Sequence, residues 1–283
     1  MQTATNIQHP ATSNQIVVAA LYKFAKIKNP AKLQKQLKEF MLARDVKGTI
    51  IVAPEGVNGT ISGSREGIDE TLEFIRKVPG FADIDHKESF FTEHPFGKTK
   101  VKHKKELIGL GVKADPTEKV GKYVDSEEWN KLLEEGIPVI DTRNEYEVII
   151  GTFEGAIDPK TKRFKELPKW TEENIDPKKH KRVAMFCTGG IRCEKYSSYV
   201  MGLGVEEVFH LKGGILKYLE DMPVEKSKWN GSCYVFDERV AVGHGLEPSG
   251  EADRCPSCGH TIWTKDRIKE DFVLHQRCSF CPD

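Results

Sequence analysis

The sequence predicts two mixed α/β domains in tandem, followed by a small metal-binding tail. A β-α-β-β-α-β order of apolar and amphipathic segments fills about residues 15–112. A fresh alternation of strands and helices over about residues 123–222 implies a parallel sheet with helices on both faces. Two Cys-x-x-Cys pairs then stand near the end of a C-terminal extension, residues 223–283.

In the first domain, Ile16 to Phe24 is strand-like. Pro30 to Ala43 has helical spacing, with Leu33, Leu37, Phe40 and Met41 on one face. Gly48 to Ala53 is a second apolar strand. Pro54-Glu55-Gly56-Val57-Asn58-Gly59 reads as a turn cluster, and Thr60 to Ser62 starts another strand. Arg65 to Lys77 is a second amphipathic helix, and strand material follows around Phe81 to Phe91. This order suggests a ferredoxin-like or acylphosphatase-like α+β sandwich. That fold hosts many functions and names none.

Lys98-Thr99-Lys100-Val101-Lys102-His103-Lys104 alternates. In an extended strand Lys98, Lys100, Lys102 and Lys104 share one face, about 7 Å apart. Such a row matches a phosphate backbone, so these lysines are candidate RNA-binding residues. The plainer reading is a sheet edge protected from aggregation by lysines.

Composition sets limits on the partners. The chain has 283 residues, with Lys plus Arg equal to Asp plus Glu at 43 each, so net charge favours no class of partner. No run approaches the ~20 apolar residues of a membrane helix. The start is polar and lacks a signal-peptide core, so residues 1–14 are expected to form a disordered tail. Seven cysteines without a secretory signal suggest reduced thiols in a cytoplasm, as metal ligands or catalytic groups. A monomer is expected.

After a polar stretch, Lys113 to Lys122, that reads as a linker, Ser126 to Glu135 reads as a helix and Val139 to Arg143 as a buried strand. The centre of this domain is Phe186-Cys187-Thr188-Gly189-Gly190-Ile191-Arg192-Cys193-Glu194-Lys195. Val183 to Phe186 reads as a strand and Glu194 to Leu203 as a helix, so Cys187 falls where one ends and the other begins. Backbone N–H groups from Thr188 to Arg192 and the helix N-terminus can there stabilise a thiolate. Such surroundings lower a cysteine pKa from about 8.5 to roughly 3.5–7.5. Gly189 and Gly190 let the backbone curl around the sulfur, and Arg192 adds a charge that cannot be lost. Cys187 and Arg192 are therefore the candidate catalytic residues, with Thr188, Gly189, Gly190 and Ile191 as the active-site loop. Arg192 is expected to support the loop and to pair with substrate negative charge. The plainer reading, a buried cysteine before an ordinary helix, leaves Gly-Gly and Arg unexplained.

Asp-x-Arg at Asp141 and Arg143, Glu-x-x-x-Gly-x-x-x-Gly-Ala ending at Ala156, the cysteine loop, and Leu-x-Gly-Gly-Ile at Leu211 to Ile215 resemble the rhodanese domain in order and spacing. Phosphatases with a comparable loop place more residues between cysteine and arginine. The resemblance implies a persulfide-type cysteine and makes Asp141 and Arg143 a structural ion pair. Thr152 departs from a frequent histidine, and Thr188 from a frequent cationic residue. The second departure weakens the case for thiosulfate as donor.

Ala53-Pro54-Glu55-Gly56-Val57-Asn58-Gly59-Thr60, Lys105-Glu106-Leu107-Ile108, the Cys-Thr-Gly-Gly-Ile-Arg-Cys-Glu-Lys loop and Val235 to Val240 together resemble the bacterial tRNA uridine hydroxylases (TrhO/YceA). That resemblance implies an enzyme that uses molecular oxygen to make 5-hydroxyuridine at the tRNA wobble position, with Cys187 essential. The rival enzyme is a persulfide sulfurtransferase delivering sulfur to tRNA or protein. A third reading is an RNA-binding adaptor with an inactive rhodanese domain.

Cys193 has two readings. It is a resolving thiol that forms a disulfide with Cys187, or a small buried helix residue whose side chain points away. Cys233 reads as core. In the tail, Cys255-x-x-Cys258 and Cys278-x-x-Cys281 are separated by 19 residues, the pattern of a structural Zn2+ site with four thiolates. A pair of redox dithiols is the alternative, and His260 and His275 are spare ligands.

Overall fold

The computed structural model describes residues 15–237, 239–250, 252–255 and 261–263. The chain divides into two compact units, Met1–Lys105 and Glu106–Asp283. The expected tail at residues 1–14 lies outside the described residues.

The first unit runs β1 (Ile16–Phe24), α1 (Pro30–Leu42), β2 (Lys47–Ala53), β3 (Gly56–Gly63), α2 (Arg65–Arg76), β4 (His86–Phe91) and β5 (Thr99–His103). Its sheet has the order β4-β1-β3-β2-β5, the ferredoxin-like order with one added edge strand. β5 lies parallel to β2, and the other pairs are antiparallel. Alternation puts Val17, Ala19 and Leu21 of β1 into one core with Leu33, Leu37 and Met41 of α1 and Ile68, Leu72 and Ile75 of α2. Each helix start is capped by a side chain: Asn29 accepts from the Lys32 N–H and Ser64 from the Gly67 N–H.

One expectation here fails. Most of the presumed turn at Pro54 to Gly59 is strand, because β3 already begins at Gly56. The hairpin needs only Pro54 and Glu55 between β2 and β3. Gly59 serves close strand approach instead: a Cβ there would meet the Thr49 carbonyl oxygen at 2.4 Å.

The second unit contains β6 (Lys122–Val124), α3 (Ser126–Glu134), β7 (Val139–Asp141), α4 (Glu145–Val148), β8 (Gly151–Phe153), α5 (Leu167–Asn174), β9 (Arg182–Phe186), α6 (Ile191–Gly202), β10 (Glu207–Leu211) and α7 (Gly214–Asp221). The sheet β6-β10-β9-β7 is parallel throughout. Along β9, Ala184 and Phe186 face a core with Trp129 of α3 and Tyr218 of α7. Val183 and Met185 face the opposite core, with Leu167 of α5 and Tyr196 and Val200 of α6. The expected layering, helices on both faces of a parallel sheet, is present.

The first unit ends at Lys105, not at 112. Leu110 is buried in the α6-side core, with Ile108, Val112 and Ala114 packed against it. The fully buried Lys195 ammonium holds the segment through Glu106 at 2.7 Å and the Ile108 carbonyl at 3.1 Å. At the other end, β11 (Trp229–Gly231) pairs with β8. Beyond it come the short pairs β12 (Cys233–Tyr234) with β13 (Ala241–Val242), and β14 (Ala252–Arg254) with β15 (Thr261–Trp263). Trp229, Cys233, Val235 and Val242 fill the α7-side core, so this part of the extension belongs to the second unit. No helix among the described residues is long and apolar enough to cross a membrane.

Candidate active site

β9 ends at Phe186, and Cys187 follows at the C-terminal edge of the parallel sheet. α6 begins at Ile191, earlier than the expected Glu194, because Gly190 takes a left-handed conformation (φ 102°) that closes the loop. Arg192 and Cys193 therefore sit in the first helical turn. The Gly190 N–H donates to Cys187 Sγ at 3.1 Å. The backbone N–H and the thiol of Cys193 also hydrogen bond to that sulfur. The donors are thus Gly190, inside the expected run Thr188 to Arg192, and Cys193, one residue beyond it. Cys193 is a fully buried helix residue, as its plainer reading has it, but its thiol hydrogen bonds to the Cys187 sulfur and does not point away.

Arg192 does not stand ready for substrate. Its terminal nitrogens donate to both Glu147 oxygens, at 2.6 and 2.7 Å, and one also reaches Thr188 Oγ1 at 3.2 Å. Thr188 Oγ1 in turn donates to Glu147 at 3.3 Å. Glu147 is fully buried and Arg192 nearly so. A buried guanidinium needs a carboxylate to offset its desolvation, and the fork geometry of Arg suits a bidentate partner. Glu147 is the site residue that sequence reasoning missed. Its only signal was the glutamate that opens the Glu-x-x-x-Gly stretch; nothing in the sequence marks its pairing with Arg192.

A second ion pair lies beside the first. Arg143 donates from Nε to Asp141 Oδ1 at 2.9 Å and from Nη2 to Oδ2 at 2.6 Å, with both residues fully buried. The Arg143 guanidinium also holds the carbonyls of Glu147 and Gly151. The Thr152 hydroxyl donates to Asp141 at 2.9 Å, so this departure from the rhodanese pattern still supplies a donor.

The loop is also held from the far side. The N–H groups of Ile215 and Leu216, in the first turn of α7, donate to the carbonyls of Cys187 and Thr188 at 3.0 and 3.1 Å. Gly214 makes this approach possible: its φ is +66°, and a Cβ there would meet the Cys187 carbonyl oxygen at 2.4 Å.

Electrostatics follow from these contacts. Burial pushes the Cys187 thiol up, but the Cys193 thiol, the Arg192 charge and the N–H groups of Cys193 and Gly190 overcome it and bring the pKa down to about 5. Cys193 moves the opposite way: burial and the adjacent Cys187 sulfur hold it protonated. Burial also disfavours the Glu147 carboxylate, yet Arg192 and then Arg143 hold its pKa below the usual range. For Cys233 burial outweighs the nearby Arg143 charge, and the thiol is pushed up to about 12. The site is therefore built to hold one sulfur anion. That anion exposes no surface to solvent, so reaction requires a movement that uncovers it.

The remaining predicted residues are placed as follows. Lys98, Lys100, Lys102 and Lys104 are all exposed, while Val101 between them is buried. Lys100 and Lys102 lie in β5, the edge of the first unit's sheet, opposite Thr49 and Ile51, and Lys98 and Lys104 flank the strand. Cys255 is buried just after β14. Cys258, Cys278 and Cys281 lie outside the described residues, as do His260 and His275.

Several solved structures resemble parts of the chain. A rhodanese-like domain from Anabaena sp. is 17% identical, covering 38% of this chain and 78% of its own, with a TM-score of 0.32. An acylphosphatase from Coxiella burnetii is 11% identical, covering 31% and 94%, with a TM-score of 0.25. A protein of unknown function from Rhodopseudomonas palustris, titled a possible tyrosine phosphatase, is 18% identical, covering 36% and 82%, with a TM-score of 0.30. At the family level the matches are to named domains. Residues 16–107 match the UPF0176 acylphosphatase-like domain, and residues 125–221 match the rhodanese-like domain. An acylphosphatase-like domain of this type followed by a rhodanese domain is the architecture of the UPF0176 (TrhO/YceA) family, and the chain belongs to it.

Proposed function

We propose that the protein is an oxygen-dependent tRNA hydroxylase that converts the wobble uridine to 5-hydroxyuridine, with Cys187 as its reactive centre. The observation that carries the reading is the buried Cys187 sulfur, held as a thiolate by Gly190 and Cys193 beside the Arg192–Glu147 pair. A thiolate kept at neutral pH is a nucleophile that a merely structural cysteine is not. Membership of the UPF0176 family supports the hydroxylase reading over other uses of that thiolate. In the overall reaction one atom of O2 enters the uridine C5–H bond. The other leaves as water, with two electrons and two protons from a reductant. Arg192 holds the loop through Glu147 and Thr188 and takes no part in binding substrate charge. Lys98, Lys100, Lys102 and Lys104 supply contacts to the tRNA backbone.

A persulfide sulfurtransferase is the second reading, favoured by the short loop between Cys187 and Arg192. Mass spectrometry of tRNA nucleosides from a deletion strain separates the two. Loss of a 5-oxygenated uridine, restored by the wild-type gene and not by Cys187→Ser, is the expected result. Loss of a thiolated base instead would assign the sulfurtransferase. The third reading, an inactive adaptor, sits poorly with a complete thiolate cradle.

The four tail cysteines are proposed to hold a structural zinc ion that cross-links the tail and takes no part in the reaction. Purified protein should contain about one zinc per chain, because paired Cys-x-x-Cys knuckles close a tetrahedral shell. Cys258 and Cys281 should resist alkylation until a chelator is added. Metal-free protein with rapid alkylation of both would point to redox dithiols.

A further inference from the structure

The Cys187 cradle contains a second thiol for which the hydroxylase reading has no use. Cys193 is fully buried, and its thiol hydrogen bonds to the Cys187 sulfur. Thr142 Oγ1 lies 3.5 Å from Cys193 Sγ and donates to the Phe186 carbonyl at 2.9 Å, so the hydroxyl takes a hydrogen from Cys193 only when the thiol turns from Cys187. Both sulfurs lie in one apolar cluster, with no third cysteine in it among the described residues. Cys233 belongs to the core on the other face of the sheet. A low-pKa thiolate beside a protonated thiol is the arrangement that redox-active cysteines share.

We propose that Cys193 is the resolving thiol of Cys187, converting a peroxide-oxidised Cys187 into a reversible intramolecular disulfide. The proposal rests on the Cys187 thiolate, not on the identity of the RNA product. In the first step the thiolate sulfur attacks a hydroperoxide oxygen. The O–O bond breaks, the sulfur becomes a sulfenic acid, and the peroxide is reduced to water or an alcohol. In the second step Cys193 Sγ attacks Cys187 Sγ. The S–O bond breaks, and hydroxide leaves with the Cys193 proton as water. A dithiol reductant returns both thiols by exchange and is itself oxidised. The first step also prepares the second. Burial and the Cys187 anion together hold the proton on Cys193, and oxidation of Cys187 removes the anion. The disulfide blocks the site while protecting Cys187 from irreversible overoxidation.

The test uses the full chain, hydrogen peroxide as probe, and peptide mapping without reduction. Trypsin cuts after Arg192, so the disulfide would join the peptide Val183–Arg192 to Cys193–Lys195. That cross-linked pair should form in wild type and vanish with dithiothreitol. In Cys193→Ser the hydroxyl keeps a donor beside Cys187 but cannot resolve it. Cys187 should then accumulate as sulfinic acid, which dithiothreitol does not reverse, at least about tenfold more than in wild type. Cys193→Ala serves as a second variant should the serine disturb folding. Equal sulfinic acid in wild type and both variants would overturn the resolving role, as would a disulfide from Cys187 to any other cysteine. A Cys187 that resists peroxide in every form would instead overturn the thiolate on which the proposal stands.

Discussion

Arg192 is one of the groups that lower the Cys187 pKa, and Glu147 holds Arg192 in place; the two were not equally legible. Cys187 and Arg192 could be read because they fall within one short stretch. Glu147 is 45 residues from Arg192 in sequence, and a contact of that span leaves no periodic trace. Removing it strands a buried guanidinium. Glu147→Gln is therefore expected to cost about 3–5 kcal/mol, the range for breaking a buried ion pair, measured as a lowered urea midpoint. A midpoint within error of wild type would mean that the pair contributes nothing. The Cys187 pKa also makes a prediction about pH. Folding lowers it from about 8.5 to about 5, so between those values the folded chain binds fewer protons than the unfolded one. Stability should then rise with pH across that window, and be lost as pH falls through the folded value. Cys193, held above its ordinary value, contributes in the opposite sense: its share is lost at higher pH. Cys187→Ser should flatten the rise between about pH 5 and 8.5. Thiolate absorbance in the ultraviolet reports the same group without a reagent having to enter the buried site, and an undiminished rise in the mutant would deny Cys187 its charge.

Elements were read best where period and length agreed, as in β1, α1 and α2. They were misread where a glycine's role leaves no pattern: Gly59 allows close strand approach, and Gly190 takes a left-handed conformation at the start of a helix. Gly59 lies inside β3, and Gly190 opens α6 three positions earlier than the helical pattern does, because neither position carries a side chain to mark it. Gly214 is the sharpest case: it lets the first turn of α7 close on the carbonyls of Cys187 and Thr188. Gly136 supplies the control. Its φ is +69°, close to the +66° of Gly214, but a Cβ there would meet nothing within 4 Å. Gly136→Ala should cost about 1 kcal/mol for the left-handed backbone alone. Gly214→Ala should cost more, about 3 kcal/mol or above, because the loop must also move. It should raise the midpoint of the Cys187 absorbance titration, whereas Gly136→Ala should leave it in place. Equal stability losses and equal midpoints would show that α7 does not position the loop.

At the scale of the whole molecule the two-domain order was legible, and its seams were not. Short strands such as β11 and β12 carry too few residues for a periodic signal, yet Trp229 and Cys233 complete the core begun by Trp129 and Phe186. Charge poses a different question at this scale. Lys plus Arg balances Asp plus Glu at 43 each, so no global field draws the chain to a polyanion. Affinity for tRNA then has to come from a local patch. β5 offers one: Lys98, Lys100, Lys102 and Lys104 are exposed along a sheet edge, and none of them forms a salt bridge among the described residues. Edge protection would require the same exposure, so geometry alone does not separate the two roles. Salt dependence does. Each lysine that meets a phosphate releases condensed counterions, and log affinity falls with log salt in proportion to the number of contacts. Replacing Lys100 and Lys102 with glutamine removes two charges and keeps most of each stem, while buried Val101 still anchors the strand. Binding of tRNA should weaken, and the salt slope should become shallower by about 1–2 units. The thermal midpoint should stay at the wild-type value, since neither side chain is buried. A salt slope unaltered in the double mutant would leave the lysines as guards of the sheet edge, with the tRNA held elsewhere.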